Sequence, residues 1–168
     1  PDIFCVQECR GELGKKEILA RLPALAAFPF MAYSESNSVC IFSKWPIDTQ
    51  GVLIKSPSNG DNGCTWADIR WQGRPLRVYA VHLKSNSVSG MASRAEITEV
   101  ESWSTILNMM ERVRKYGIQR AKQAEDIARD IAQSPWPVVL CGDFNDTPVS
   151  YNYRTLSEGL QDAFQERG

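Results

Sequence analysis

The stretch Val138-Val139-Leu140-Cys141-Gly142-Asp143-Phe144-Asn145-Asp146-Thr147-Pro148 constrains this chain most. A run of strand-forming apolar residues empties into a glycine. Two polar side chains, Asp143 and Asn145, follow two positions apart, before a proline. In extended backbone, residues two apart point to the same side. A buried strand would therefore deliver a carboxylate and an amide together at its open end, where α/β sheets usually keep their chemistry.

Other apolar runs also end in polar groups. Ile3 to Val6 is followed by Gln7-Glu8, and Leu76 to Val81 by His82. If these strands share a sheet, Glu8, His82, Asp143 and Asn145 converge. Carboxylates with an amide oxygen and water make a hard-oxygen site suited to magnesium or manganese. Such an ion polarises a phosphoryl oxygen and steadies a leaving oxygen, while an imidazole can donate to a non-bridging oxygen as charge builds. The set suits phosphoester hydrolysis. Each piece alone has a plainer explanation: Glu8 as a solvated strand end, His82 as a hydrogen-bonded structural histidine, Asp143-x-Asn145 as a turn. Their conjunction at successive strand ends argues for chemistry.

The rest of the pattern is a single α+β or mixed α/β domain over residues 1–168. Strands are expected at Phe30 to Tyr33, Val39 to Phe42 and Val52 to Ile54, with a hairpin of Cys64 to Trp71 and Leu76 to Leu83 joined through Gln72-Gly73-Arg74-Pro75. Helices are expected over Glu12 to Phe28, Ala95 to Arg114 and Gln119 to Gln133, with Gly117 interrupting the last two. In the last of these, Glu125 and Arg129 are placed to pair at i, i+4. A short helix should follow Ser150 as N-cap. Trp103 and Trp136 are expected in the core or at helix–sheet contacts.

Composition removes some classes. A net charge of −1 gives no overall basic field for nucleic acid. No apolar run approaches the length of a membrane span, and no apolar cluster for a membrane surface stands out. Five cysteines (Cys5, Cys9, Cys40, Cys64, Cys141) and a single histidine match no paired zinc pattern, so reduced core thiols are expected. Lys44, Lys55 and Lys84 are candidates to face a phosphate, against the plainer reading of solvated lysines. The loop from Ser85 to Arg94 is a candidate substrate-facing insertion.

These motifs resemble, in order, those of the endonuclease/exonuclease/phosphatase superfamily with its deoxyribonuclease-I-like fold. Gln7-Glu8 is similar to its Gln-Glu motif. Ile41-Phe42-Ser43-Lys44-Trp45-Pro46-Ile47 is similar to its Ile-hydrophobic-Ser-Lys-aromatic-Pro-Ile stretch. His82-Leu83 resembles its His-Leu strand end, Arg120-Ala121-Lys122-Gln123-Ala124 its Arg-x-x-Gln-Ala helix, and Gly142-Asp143-Phe144-Asn145 its signature block. The resemblance implies a four-layer sandwich of two mixed sheets flanked by helices, and magnesium- or manganese-dependent hydrolysis of a phosphodiester or phosphomonoester. It implies Glu8 as principal metal ligand, with Asp143 and Asn145 also at the metal. Asp143 would orient or activate water, with support from Asn145, and His82 would contact the scissile phosphate. The substrate stays open among nucleic acid, nucleotide, sugar phosphate and lipid head group. A non-catalytic binding domain of the same fold is the alternative.

The family's opening Asn-bearing strand and closing Ser-Asp-His block have no counterpart here. The expectation is therefore a domain incomplete at both ends, an internal piece of a protein longer by roughly 80 residues. Flanking segments of the same protein would complete it, and the piece alone would hydrolyse phosphoesters weakly or not at all.

Overall fold

The computed structural model describes residues 1–9, 18–20, 22–33, 38–55, 62–85 and 103–167. Seven strands form two sheets among these. The first sheet has the order β1-β3-β2 and is antiparallel throughout, with β1 at Ile3–Val6, β2 at Phe30–Ala32 and β3 at Cys40–Ser43. The second has the order β4-β5-β6-β7, with β4 at Ile47–Ile54, β5 at Gly63–Trp71, β6 at Arg74–His82 and β7 at Val138–Asp143. It is mixed: β4 to β6 run antiparallel, and β7 joins β6 in parallel. Gln72 and Gly73, both at positive φ, make the β5–β6 turn, and Arg74 and Pro75 already belong to β6.

The side-chain period of two sorts the residues into layers. Ala32, Val39 and Ile41 of the first sheet meet Ala67, Ile69, Val78 and Ala80 of the second in a dry inter-sheet core. On the outer face of the second sheet, Cys64, Tyr79 and Val81 pack against Ala124 and Ile127 of helix α1 (Trp103–Ala132) and Leu156 of helix α2 (Tyr151–Ser157). On the outer face of the first, Cys40 and Phe42 pack against Ile18, Leu25 and Phe28. Residues 18–20 are helical and Pro23–Ala27 form a 3-10 turn. The result is helix, sheet, sheet, helix: the four-layer α+β sandwich. A short helix α3, Ala163–Arg167, ends the described chain.

Several expectations change. Helix α1 runs unbroken through Gly117, because one glycine costs only about 1 kcal/mol in a helix interior. Residues 95–102 of the expected upstream helix, and 86–94 of the expected loop, lie outside the described residues. So do residues 10–11, part of the expected first helix (residues 12–17 and 21) and two polar loops (34–37 and 56–61). Strand β4 begins five residues before Val52. Trp103 is 79% exposed and Trp136 41%, so neither is a core residue. Arg129 pairs with Asp126 at 2.9 Å, while Glu125 accepts a hydrogen bond from Tyr151 Oη instead. Ser150 does cap α2, accepting from Tyr153 N at 3.1 Å. Cys9, Cys40 and Cys64 are buried; Cys5 and Cys141 are half-buried, with their sulfurs 3.1 Å apart across the two sheets, and all five are free thiols.

Candidate active site

Parallel pairing of β6 with β7 sets the register Arg77↔Val138 through His82↔Asp143. The two strands thus end together, with His82 and Asp143 side by side. Val78, Ala80 and His82 lie on one face of β6, so His82 points toward the space between the sheets. Cys141 and Asp143 share the equivalent face of β7. His82 is buried, whereas Asp143 is exposed, and His82 Nε2 lies 3.8 Å from Asp143 Oδ2. That separation allows a charge contact if the ring is protonated, but it is too long for a hydrogen bond. His82 Nδ1 is buried without a hydrogen-bond partner among the described residues.

Gly142 is what lets the strands close up. A Cβ there would sit 1.9 Å from the Val81 carbonyl oxygen. Beyond it, Asp143 Oδ1 accepts from Asn145 N at 2.8 Å, and Asn145 holds a positive φ of 49° in the turn. Asn145 Nδ2 donates to the Leu83 carbonyl at 2.9 Å, tying this turn to the residue after His82.

A second layer of contacts holds both strand ends. From α1, the almost buried Arg120 donates to the Lys84 carbonyl at 3.0 Å and lies 3.6 Å from Asp146 Oδ2. Gln123 accepts from Lys84 N at 2.9 Å and donates to Asn62 Oδ1 at 3.3 Å. Asn152 donates to Asp146 Oδ2 at 2.6 Å. The Arg-x-x-Gln spacing places both side chains on one helix flank. Sequence reading took Arg120 as structural but missed the reach of Gln123 and Asp146. Asp146 followed the visible Asp143-x-Asn145 pair, and only tertiary contact shows its partners.

Glu8 reaches the same end from the other sheet. Strand β1 ascends from Ile3, packed low in the inter-sheet core, to Cys5, whose sulfur meets that of Cys141. Glu8 stands three residues beyond Cys5, and Asp143 two beyond Cys141. Glu8 is exposed with φ of 59°, a left-handed conformation that turns the chain as it leaves the strand. Among the described residues, no three His, Cys, Asp or Glu side chains gather closely enough to hold a metal ion together. The donor set still fits a magnesium-type ion in kind. It offers two carboxylates open to solvent at one end of the sandwich, and such an ion commonly keeps several waters and takes one or two carboxylates.

The three candidate lysines divide. Lys44 lies 3.5 Å from Asp2 and over the Phe28 ring, away from this mouth. Lys84 lies at the mouth, its ammonium 5.2 Å from the Tyr116 ring centre. Lys55 is exposed just after β4. A cavity of about 630 Å³ along β7, lined by Val138, Leu140, Phe144, Tyr153, Leu156 and Leu160 among others, contains none of the four candidate residues. It is apolar on the strand side and lies apart from the chemistry.

Comparison with known proteins agrees with this fold. None of the functionally curated proteins matches the chain. Among solved structures, a mutant beta toxin from Staphylococcus aureus with bound magnesium ions is 17% identical, with a TM-score of 0.61 over 96% of this chain and 58% of that one. Sphingomyelinase C from Streptomyces griseocarneus is 16% identical, with a TM-score of 0.60 over 94% of this chain and 56% of that one. Truncated Caenorhabditis elegans TDP2 is 22% identical, with a TM-score of 0.60 over 100% of this chain and 58% of that one. These likenesses show the fold, and this chain spans less than two thirds of each. The model of the endonuclease/exonuclease/phosphatase family matches residues 1–167, and the chain belongs to that family.

Proposed function

We propose that this chain carries the catalytic half-site of a divalent-metal-dependent phosphoester hydrolase. The observation that carries the reading is the register of β6 and β7, which sets His82 beside Asp143 at the end of the sandwich toward which Glu8 also emerges. Family membership and the magnesium in the beta toxin mutant support it.

Glu8 would be the principal metal ligand, with Asp143 and Asn145 at the same ion. Magnesium, or manganese in its place, would polarise the phosphoryl group and offset charge on the leaving oxygen. The protein's own groups do the positioning. Asp143, held by the Asn145 backbone N–H through Oδ1, keeps Oδ2 free to orient an attacking water. Asn145 fixes the Asp143 turn to Leu83, so the His82 and Asp143 strand ends keep their spacing. His82 donates toward a phosphate oxygen as negative charge develops. A nearly buried ring confers a fixed direction on that donor.

A panel of phosphodiesters and phosphomonoesters with magnesium, run on the full-length protein beside Asp143→Ala, tests the reading. Metal-dependent turnover that falls at least about 100-fold in the variant is expected. A binding module of the same fold would show no metal-dependent turnover with any ester.

A further inference from the structure

The fold brings two distant cysteines into contact across the sandwich. Cys5 lies in β1, opposite Ile41 of β3, and Cys141 lies in β7, opposite Ala80 of β6. The two strands belong to different sheets. Cys5 faces the inter-sheet core and packs against its buried cluster. Cα atoms of β1 and β7 come within 8 Å of one another. The sulfurs of Cys5 and Cys141 stand 3.1 Å apart, although the residues are 136 positions apart in sequence.

Two features set this pair apart from ordinary core thiols. Cysteine often serves as a small core hydrophobe, but non-bonded carbon atoms pack at about 3.5–4.0 Å, and these sulfurs are closer. A disulfide of about 2.05 Å needs them to close by only about 1 Å. Antibody domains bridge facing sheets with such a bond. The second feature is access. Cys5 and Cys141 are half-buried, whereas Cys9, Cys40 and Cys64 are buried, and thiol oxidation follows access as well as thiolate character.

We propose that Cys5 and Cys141 form a reversible disulfide across the sandwich when the protein meets a peroxide. One of the two sulfurs, as thiolate, attacks a peroxide oxygen. The O–O bond breaks, hydroxide leaves and the sulfur becomes a sulfenic acid. The other sulfur loses its proton and attacks the sulfenic sulfur. The S–O bond breaks, and the departing oxygen takes up a proton and leaves as water. Overall two thiols lose two electrons and two protons, and one hydrogen peroxide becomes two waters. A dithiol reductant restores both thiols by exchange. Glu8 stands three residues beyond Cys5, and Asp143 two beyond Cys141. The bond therefore fixes the spacing of the two strands that carry them. It also closes a long loop and so removes freedom from the unfolded chain. The proposal needs only the thiol contact and stands without the hydrolase reading. Cys9 and Cys40, whose thiols are also in hydrogen-bonding contact, are the competing pair.

The test treats reduced full-length protein with hydrogen peroxide, blocks remaining thiols with N-ethylmaleimide and maps the digest by mass spectrometry without reductant. A peptide joining Cys5 to Cys141 within one molecule is expected, and dithiothreitol should remove it. It should form at least about tenfold faster in folded protein than in urea-unfolded protein, because the fold holds the sulfurs together. The oxidised protein should melt about 5 °C or more above the reduced form. Cys141→Ser should lose both the linkage and the shift. Cys5→Ala takes its place if circular dichroism shows that the first variant does not fold. Thiols left unmodified, Cys9 to Cys40 as the linked pair, or Cys5 and Cys141 joined only between molecules overturns the proposal. So does linkage no faster than in urea, or a linked protein whose melting point does not rise.

Discussion

Two positions, Gly142 and Asp68, show how tightly single residues are specified. At Gly142, any Cβ collides with the Val81 carbonyl. Gly142→Ala should therefore destabilise by more than about 4 kcal/mol, by forcing β7 off β6, and chemical denaturation measures it. Asp68 makes a two-pronged pair with Arg77, at 2.6 and 2.8 Å, and accepts from the Thr49 hydroxyl at 2.7 Å. Arg77 in turn lies 4.2 Å above the Trp66 ring. Burial works against ionising Asp68, but Arg77 and Thr49 outweigh it and hold the carboxyl below its ordinary range. A depressed carboxyl contributes stability above the usual carboxylate pKa of about 4, and that contribution is lost as pH falls through the lowered value. Asp68→Asn should flatten the acid limb of a stability–pH profile. Arg77→Ala, which strands the carboxylate, should cost about 3 kcal/mol at neutral pH. Sequence reading named Glu8, His82, Asp143 and Asn145 because each follows an apolar run. It missed Asp68 and Arg77, whose pairing comes only from the β5–β6 register.

Elements were legible where their period was clean. The β5–β6 hairpin, β7 and the capped α2 sit where alternation, turn residues and Ser150 put them. Ser150→Ala should cost about 1 kcal/mol, read from thermal or denaturant unfolding, because the Tyr153 N–H loses its partner. Strand β4 was half visible, since it is the edge of its sheet and Asp48, Thr49 and Gln50 are exposed. An edge strand need not alternate cleanly, and its register slips at Thr49 and Ile54 hide the period further. Helix α1 was divided at Gly117, because propensity alone gives glycine too much weight. Arg120, Gln123, Ala124 and Ile127 anchor the helix beyond that point through tertiary contact. Its exposed first half hid in the sequence for a related reason. An amphipathic row looks the same whether it faces a core or solvent.

The whole molecule is a sandwich whose two sheets bring motifs 135 positions apart, Glu8 and Asp143, to one end. No local pattern carries that distance, and the ordered resemblance to a known superfamily supplied it. This chain spans 56–58% of the solved structures compared with it. His82→Ala should lower turnover about 100-fold. The metal dependence of the site is read most directly from phosphodiester hydrolysis by the full-length protein through a cycle of chelation and magnesium return. Activity should vanish with chelator and recover with magnesium or manganese, but not in Glu8→Ala at ordinary metal concentrations. Turnover that survives chelation, or a Glu8→Ala variant as active as the parent at the same magnesium, would contradict the site described here.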